Sequence, residues 1–449
     1  MDTTTPYVLV DDASTDREKP RRVSEWHVQL MLIYASQLAA ESSRGLVLPT
    51  LFLYCESLGG GLSDMGHATS VFSVGRLVAS VFLGWLCDRV SFRTVHLVCA
   101  AISVLGNLLY VLPMPPTLAI PMLLLSRFVT GVGAGSLSVC RANIAVLTPK
   151  SLRLLCLNRL ALVVFVGYAL SPGLGGLFAH VDVQIVGNLH LTAFTAPGYI
   201  LVVLNAASFV AMWFAFDCSI TAADAPSKDE QAPEKTELDA IKQVTEDAPE
   251  LSCQFYSGVA IFVLLNVVGR GVIAVFETIL VTLHVQVVHL DHASAYGNAV
   301  RSAASFEFTM GVLGLLTYAA VEFGHLADEL WLLLGLAMFV LGNGLLLAQN
   351  PLQWPLFCAG IYLVWSIGGP LLTAVSVSAF SRSLGSRPQG LWMGIFGAAG
   401  SCSRIVLPVV PALVSSFRVM FWINLALSAF GLLLLCWWYS LTSWTKRSK

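Results

Sequence analysis

The sequence predicts an all-α membrane protein of twelve transmembrane helices in two six-helix bundles. Three observations predict it. The 449 residues are 56% hydrophobic and only 12% charged, with a mean hydropathy of +0.75, whereas soluble domains carry about 25% charged residues. Twelve segments are long and apolar enough to span a bilayer, which takes about 20 residues each. Finally, Gly84-Trp85-Leu86-Cys87-Asp88-Arg89 has a counterpart in the second half, Gly324-His325-Leu326-Ala327-Asp328-Glu329. Each closes an apolar stretch where a membrane helix meets water. A GxLxD pair once per half marks two related bundles, the arrangement by which many secondary transporters alternate access to a central site.

Taken in order, spans 1–6 are expected at 28–54, 67–87, 94–112, 119–146, 155–179 and 195–216. Spans 7–12 are expected at 256–283, 296–321, 329–348, 354–379, 389–413 and 418–440. This divides the chain into a polar tail (1–27), a first bundle (28–217), a linker (218–253), a second bundle (254–441) and a short tail (442–449). The linker is rich in Asp, Glu, Pro and Lys between Asp224 and Glu250 and is expected to be mostly disordered, with a short helix near Glu237–Val244. Orientation follows from basic residues, which favour the cytosolic side. Arg17, Lys19, Arg21 and Arg22 precede span 1, Arg89 and Arg93 follow span 2, and Lys150 and Arg153 follow span 4. Arg382 and Arg387 follow span 10, and Lys446, Arg447 and Lys449 end the chain. The opposite loops hold almost none, Arg418 excepted. Both termini and the linker are therefore expected in the cytosol.

Composition also excludes functions. A net charge of −2 lacks the basic footprint that nucleic-acid binding needs. The ten cysteines are scattered without a CxxC pair and read as small buried hydrophobes. No Ser/His/Asp set, metal motif or nucleotide loop appears, so neither an enzyme nor a cofactor or metal is expected. The glycines of Gly131-x-Gly133-x-Gly135 lie inside a span and begin no strand-to-helix turn, which leaves a packing role. Pro172 is placed to kink span 5. No apolar leader precedes the first span, which is expected to direct insertion itself. Six of the nine histidines (His67, His180, His190, His284, His289 and His292) map to the non-cytosolic face, which fits a compartment of variable pH. For His284, His289 and His292, ordinary loop polarity outweighs a metal site.

Charges at membrane depth each need a reason, because every one costs about 2.5–3.5 kcal/mol on insertion scales. Glu41 and Arg44 share a face of span 1, and Arg270 and Glu277 share a face of span 7. Arg127 lies in span 4. Arg76 in span 2, Glu307 in span 8 and Arg404 in span 11 complete the set. Five arginines against three glutamates leave net positive charge for a small organic or inorganic anion, which guanidinium forks suit. Helix bracing is the plainer reading for any single arginine. Glu277 and Glu41 are candidates for carrying a coupling proton, with ion pairing the alternative. At the cytosolic edge Gly84, Asp88, Arg89 and Asp328 read as a conformational latch rather than a substrate site.

Gly84-x-Leu86-x-Asp88-Arg89 with Arg93 resembles the loop 2–3 signature of the major facilitator superfamily. Arg127-x-x-x-Gly131-x-Gly133-x-Gly135 resembles its span 4 motif, and Gly167-x-x-x-Ser171-Pro172-Gly173-Leu174-Gly175-Gly176 its span 5 motif. Pro388-Gln389-Gly390-Leu391-Trp392-Met393-Gly394 with Gly400-Ser401-x-x-Arg404 resembles a narrower group. That group holds lysosomal proteins related to the ceroid-lipofuscinosis type-seven protein and, more distantly, vacuolar SPX-type phosphate transporters. Phe276-Glu277-Thr278-Ile279 and Thr195-Ala196-Pro197 are similar to the lysosomal members. Ser91 in place of the usual loop glycine and Glu329 in place of a basic residue depart from the pattern. The resemblance implies the major facilitator fold, a cavity lined by spans 1, 4, 7 and 10, and thus a substrate cavity holding Glu41, Arg44, Arg127, Arg270 and Glu277. It also implies an endolysosomal or vacuolar membrane, with the plasma membrane as the alternative.

The leading functional expectation is a secondary transporter of a small anion, with protons as candidate coupling ions and membrane lipid as its surroundings. An anion-conducting channel would use the same arginines; saturable flux with counterflow marks a carrier and single-channel current a pore. A non-transporting scaffold or sensor would work through the acidic linker, but has little use for deep charges. Tyr7-Val8-Leu9-Val10 has the YxxΦ form that sorting adaptors read, a pattern short enough to arise by chance. The topology is directly testable: protease added to the cytosolic side of sealed organelles is expected to cut within 218–253 and release two fragments of similar size. Protection of that loop refutes the orientation.

Overall fold

The computed structural model describes residues 13–87, 89–112, 115–187, 189–226, 253–288, 296–324, 326–348, 350–384, 389–414 and 416–447. The expected order of elements is present. Span 2 is Leu62–Cys87, span 3 Phe92–Val111 and span 6 Ala196–Ala215. Span 7 is Cys253–Val288, span 8 Tyr296–Phe323, span 9 Asp328–Leu347 and span 12 Phe417–Arg447. Several spans start with proline in the first turn (Pro116, Pro197, Pro355), where its missing N–H costs nothing.

Among the described residues, eleven helices are long and apolar enough to cross a membrane. The expected span that falls outside this measure is span 1, made of Ala13–Gly45 and Leu48–Ser57. Its hydropathy is lowered by Gln29, Gln37, Glu41, Ser42, Ser43 and Arg44, all buried inside the protein. The helix begins well before residue 28, in the stretch expected to be a tail. Trp26 donates to the Leu147 carbonyl (2.8 Å) and Gln29 to the Ala215 carbonyl (3.1 Å), docking this extension onto the ends of spans 4 and 6. The first residues of the expected linker are ordered as well: Thr221 caps a turn at Ala222–Asp224, and Arg22 donates to Asp224 at 3.2 Å. The expected helix near Glu237–Val244 lies outside the described residues, as do Tyr7–Val10, Asp88, His289 and His292.

Five spans are interrupted among the described residues. Span 1 breaks after Gly45. Span 5 breaks at Leu170, between Lys150–Ala169 and Ser171–Gly176, just before Pro172 as the sequence predicts. Span 4 tightens to a 3₁₀ turn at Ala134–Ser136, between Pro116–Gly133 and Leu137–Leu147. Span 10 runs from Trp354–Ile361 through a π-helical stretch, Tyr362–Gly368, into Gly369–Leu384, and the Ser366 hydroxyl donates to the Met310 carbonyl there (3.0 Å). Span 11, Gln389–Val406, continues through a 3₁₀ turn to Val410–Leu413.

One small departure from the all-helical expectation lies between spans 5 and 6. β1 (Asp182–Val186) pairs antiparallel with β2 (Leu189–Thr192). Gly187 takes φ +57°, a backbone region that costs glycine little, and so closes the hairpin. Five residues of β-branched and polar character outside the membrane are too short to stand out in a span-by-span reading. This loop marks one end of the molecule, here the hairpin end; the linker marks the other.

Small residues set the helix spacing. A methyl group at Gly131 would run into the Phe72 carbonyl and one at Gly75 into the Phe128 carbonyl, so spans 2 and 4 touch backbone to backbone. In the second half, Gly342 and Gly360 bring spans 9 and 10 together in the same way. The two halves meet along spans 2 with 11 and 5 with 8. Ser70 donates to the Ile405 carbonyl (2.6 Å). Gly66 lies against Pro408, Gly173 against Phe308, Gly176 against Ala304 and Gly311 against Ala169. These contacts close the seam toward the hairpin end. Gly131→Val is expected to lower the melting temperature of detergent-purified protein, since overpacking costs about 1–3 kcal/mol. Gly84→Ala, where a new methyl meets nothing within 4 Å, is expected to leave it unchanged.

Candidate functional site

The deep charges converge where the two halves meet. The breaks in spans 1 and 5 lie side by side: the Ser171 hydroxyl donates to Ser42 Oγ (3.1 Å), and Gly45 sits against the Tyr168 carbonyl. Each break ends a helix beside a polar side chain, Arg44 on span 1 and Tyr168 on span 5, and both reach Glu277 on span 7. Arg44 donates to Glu277 Oε2. The Tyr168 hydroxyl donates to Oε1 at 2.6 Å. One terminal nitrogen of Arg404 on span 11 donates to both oxygens of the same carboxylate, at 2.7 and 3.0 Å. Arg44 also stacks over the Tyr168 ring, 4.8 Å from its centroid. One carboxylate, 2% exposed, thus holds a phenol and a guanidinium from the first half and a guanidinium from the second.

Glu41 is held separately. It accepts from both terminal nitrogens of Arg76 and from Gln37 (3.0 Å). Glu41 and Arg44 share a helix but do not pair with each other. Arg127 donates to the Ser43 carbonyl (3.2 Å), lies over the Phe72 ring and is buried, with Nε unpartnered. That contact is helix bracing, yet it uses little of the guanidinium. Arg270 has a buried Nε without a partner and lies across Gly400, whose missing side chain makes room for it. Its electrostatic neighbours are Arg141, Arg76 and Arg44. Arg44 and Arg404, rather than Arg270, hold Glu277. Among the described residues Arg127, Arg141 and Arg270 have no carboxylate within 4 Å.

Two small spaces flank Glu277. One is lined by Arg44, Arg127, Thr69, Ser73, Phe72 and Glu277 together with Leu48 and Leu51. The other is lined by Glu277, Glu307, Tyr168, Trp365, Met310 and Leu280 with Leu48 and Pro172. The first is cationic with two hydroxyls, while the second is aromatic and carries the carboxyl of Glu307. His284 is bonded to Ser302 (2.8 Å) and packed among Phe306, Trp354 and Phe357. Among the described residues no three metal-capable side chains cluster.

At the edge, Arg89 lies over Trp85 of its own span (3.9 Å) and is exposed. Arg93 donates to the Trp213 carbonyl, tying the start of span 3 to span 6. Asp328 opens span 9. One site residue escapes a reading of charges in the sequence, and one exposed arginine near the site falls outside the expected set. Tyr168 is uncharged, and its only signal is its place beside the span 5 motif. Arg141 lies fourteen residues after Arg127, four helical turns on and nearly the same face, a spacing that would have found it.

The sequence profile of the Major Facilitator Superfamily matches residues 33–330. The chain belongs to the Major Facilitator Superfamily. It is 22% identical, over 88% of its own length and 86% of the other's, to major facilitator superfamily domain-containing protein 8 of Xenopus laevis. It is 25% identical to the quinolone resistance protein NorA of Staphylococcus aureus over 37% of its length and 43% of NorA. The inward open conformation of the xylose transporter XylE from E. coli superposes with a TM-score of 0.66 at 13% identity, covering 92% of this chain and 95% of XylE. The nucleoside transporter NupG gives 0.64 at 12% identity, over 92% of this chain and all of NupG. Likeness at that identity establishes the major facilitator fold. Family and fold together make this a multi-pass membrane transporter and not an enzyme.

The shared carboxylate gives a measurable coupling. Glu277→Ala leaves the buried Arg44 and the part-buried Arg404 without their partner and is expected to destabilise by about 3–5 kcal/mol. A double-mutant cycle with Arg44→Ala, read from unfolding in detergent, is expected to return an interaction of about 0.5–3 kcal/mol. Strict additivity would mean that the contact between the halves does not form.

Proposed function

We propose that this protein is a secondary active transporter carrying a small anion across an endolysosomal or vacuolar membrane by alternating access, coupled to protons. The observation that carries the reading is the cationic space beside Glu277, where Arg44 and Arg127 converge with Thr69 and Ser73 around a single carboxylate. Glu277 neutralises one positive charge, and Arg127 has no acidic partner among the described residues. Arg270 and Arg141 extend the excess along spans 7 and 4. A carboxylate or phosphate group would complete the set and would compete with Glu277 for Arg44. The substrate cavity of this reading is Glu41, Arg44, Arg127, Arg270 and Glu277.

The packed seam at the hairpin end supports a carrier over an open pore, because a carrier shows one closed side at a time. With the termini and linker in the cytosol, this conformation would be closed to the lumen. The narrower likeness of the span 11 motif to lysosomal proteins supports the endolysosomal membrane. Purified protein in proteoliposomes is expected to take up one or more labelled anions from a panel of carboxylates, phosphate and halides, and to do so more strongly with an imposed pH gradient. Arg44→Ala, Arg127→Ala and Arg270→Ala are each expected to cut that flux at equal protein level, the loss of a direct contact being worth about 2–5 kcal/mol. Wild-type flux in all three removes the anion site. Single-channel currents in planar bilayers would replace the carrier with a pore.

A further inference from the structure

Of the three deep carboxyls, two are locked to arginine: Glu41 to Arg76, and Glu277 to Arg44 and Arg404. Glu307 is different. It is 7% exposed, its Oε1 has no hydrogen-bond partner, and no cation of the described residues lies within 4 Å of it. It faces the aromatic space shared with Glu277, Tyr168 and Trp365. We propose that Glu307 is the proton-binding carboxyl of this protein, and that its proton permits the seam between the two halves to close. The inference deepens the proposed transport reading and rests on it only for the coupling, not for the proton site itself.

The position on span 8 carries the second part. Ala304, Glu307, Phe308 and Gly311 are spaced as one helical face. Ala304 packs on Gly176, Phe308 on Gly173 and Gly311 on the Ala169 carbonyl. Glu307 therefore sits on the surface that joins span 8 to span 5. With the seam closed, an ionised carboxylate there would face neither water nor a cation, an arrangement that folded proteins avoid. Binding of one proton from solution converts the carboxylate to a neutral acid and removes that penalty. When the seam parts, water reaches the carboxyl and the proton leaves to the side then open.

Its titratable neighbours are few. Span 7 presents Glu277, already held by arginine, and His284, bonded to Ser302. Span 5 presents Tyr168, which donates to Glu277. Span 10 presents Tyr362, bonded to Thr309, and span 1 presents Arg44, bonded to Glu277. On span 8 itself, Tyr318 is bonded to Thr373. None of these bonds is to Glu307.

The test uses the full-length protein in lipid. Infrared difference spectra across a pH titration are expected to show the carbonyl stretch of one protonated buried carboxyl. That band is expected to be lost in Glu307→Gln and to return, shifted, in Glu307→Asp, which also guards against a variant that merely misfolds. In proteoliposomes, the proton movement evoked by a transported anion is expected to be lost in Glu307→Gln. A band that survives Glu307→Gln but disappears in Glu277→Gln or Glu41→Gln overturns the assignment. So does binding of tetraethylammonium that Glu307→Gln abolishes with no titrating band, which would make the pocket a site for organic cations. If no anion of the panel is carried, the transport reading fails while the infrared band still decides Glu307.

Discussion

The carboxylate of Glu277 is the point on which the two halves depend. It accepts from Arg44 and Tyr168 of the first bundle and from Arg404 of the second. A buried ion pair adds little net stability, because desolvation offsets most of the attraction. Its effect lies in selection among states. Any rearrangement that pulls Arg44 away leaves its guanidinium without a carboxylate in low dielectric, so in the proposed cycle the halves separate at this level only when something else supplies the missing charge. In the proposed cycle an anion does so for Arg44. The protein would then be held in one conformation by its own side chains and released from it by its substrate.

That carboxylate is reachable only because two helices stop short. Gly45 and Pro49 end and restart span 1, and Leu170 with Pro172 does the same in span 5. Where the breaks meet, Ser42 and Ser171 bond to each other instead of stranding their hydroxyls. Elsewhere the glycines remove volume: Gly131 and Gly75 let spans 2 and 4 touch, and Gly400 clears the space that Arg270 fills. Breaks place the charged groups, and glycines bring their helices close enough to interact.

Much of the fold is legible in the sequence because a bilayer demands long apolar helices, and length with hydropathy locates them. Span 1 shows the limit of that rule: Gln37, Glu41, Ser43 and Arg44 make it polar, yet it is an inner helix whose polar face meets protein. The ordered turn at Ala222–Asp224 shows another, since its hold comes from Arg22, some two hundred residues away in sequence. Most of the deep charges were legible, Arg141 excepted, because a charge is conspicuous against apolar neighbours. Their pairing was not. Arg270 and Glu277 share a face of span 7, seven residues apart and too far for a direct pair without side-chain reach, and the partners of Glu277 come from spans 1, 5 and 11. Tyr168 could not be foreseen, because an uncharged hydroxyl does not stand out in a membrane helix.

The contrast between Glu277 and Glu307 follows from that same geometry. Both are buried, both line one small space, and they come from adjacent spans. Glu277 has every oxygen committed to cationic or phenolic donors; changing its charge would unsettle two arginines at once. Glu307 has an uncommitted oxygen and no cation of the described residues within 4 Å, so in the proposed cycle gaining or losing a proton would disturb only the packing around it. Two acidic groups in one membrane cavity need not share one role. The neighbours divide the work, with the arginines fixing Glu277 as a structural charge and the apolar seam leaving Glu307 responsive to whether spans 5 and 8 are together. In the proposed cycle that division ties the two readings of the cavity into one device: the cationic space would govern when the halves are held, and the seam carboxyl when they close.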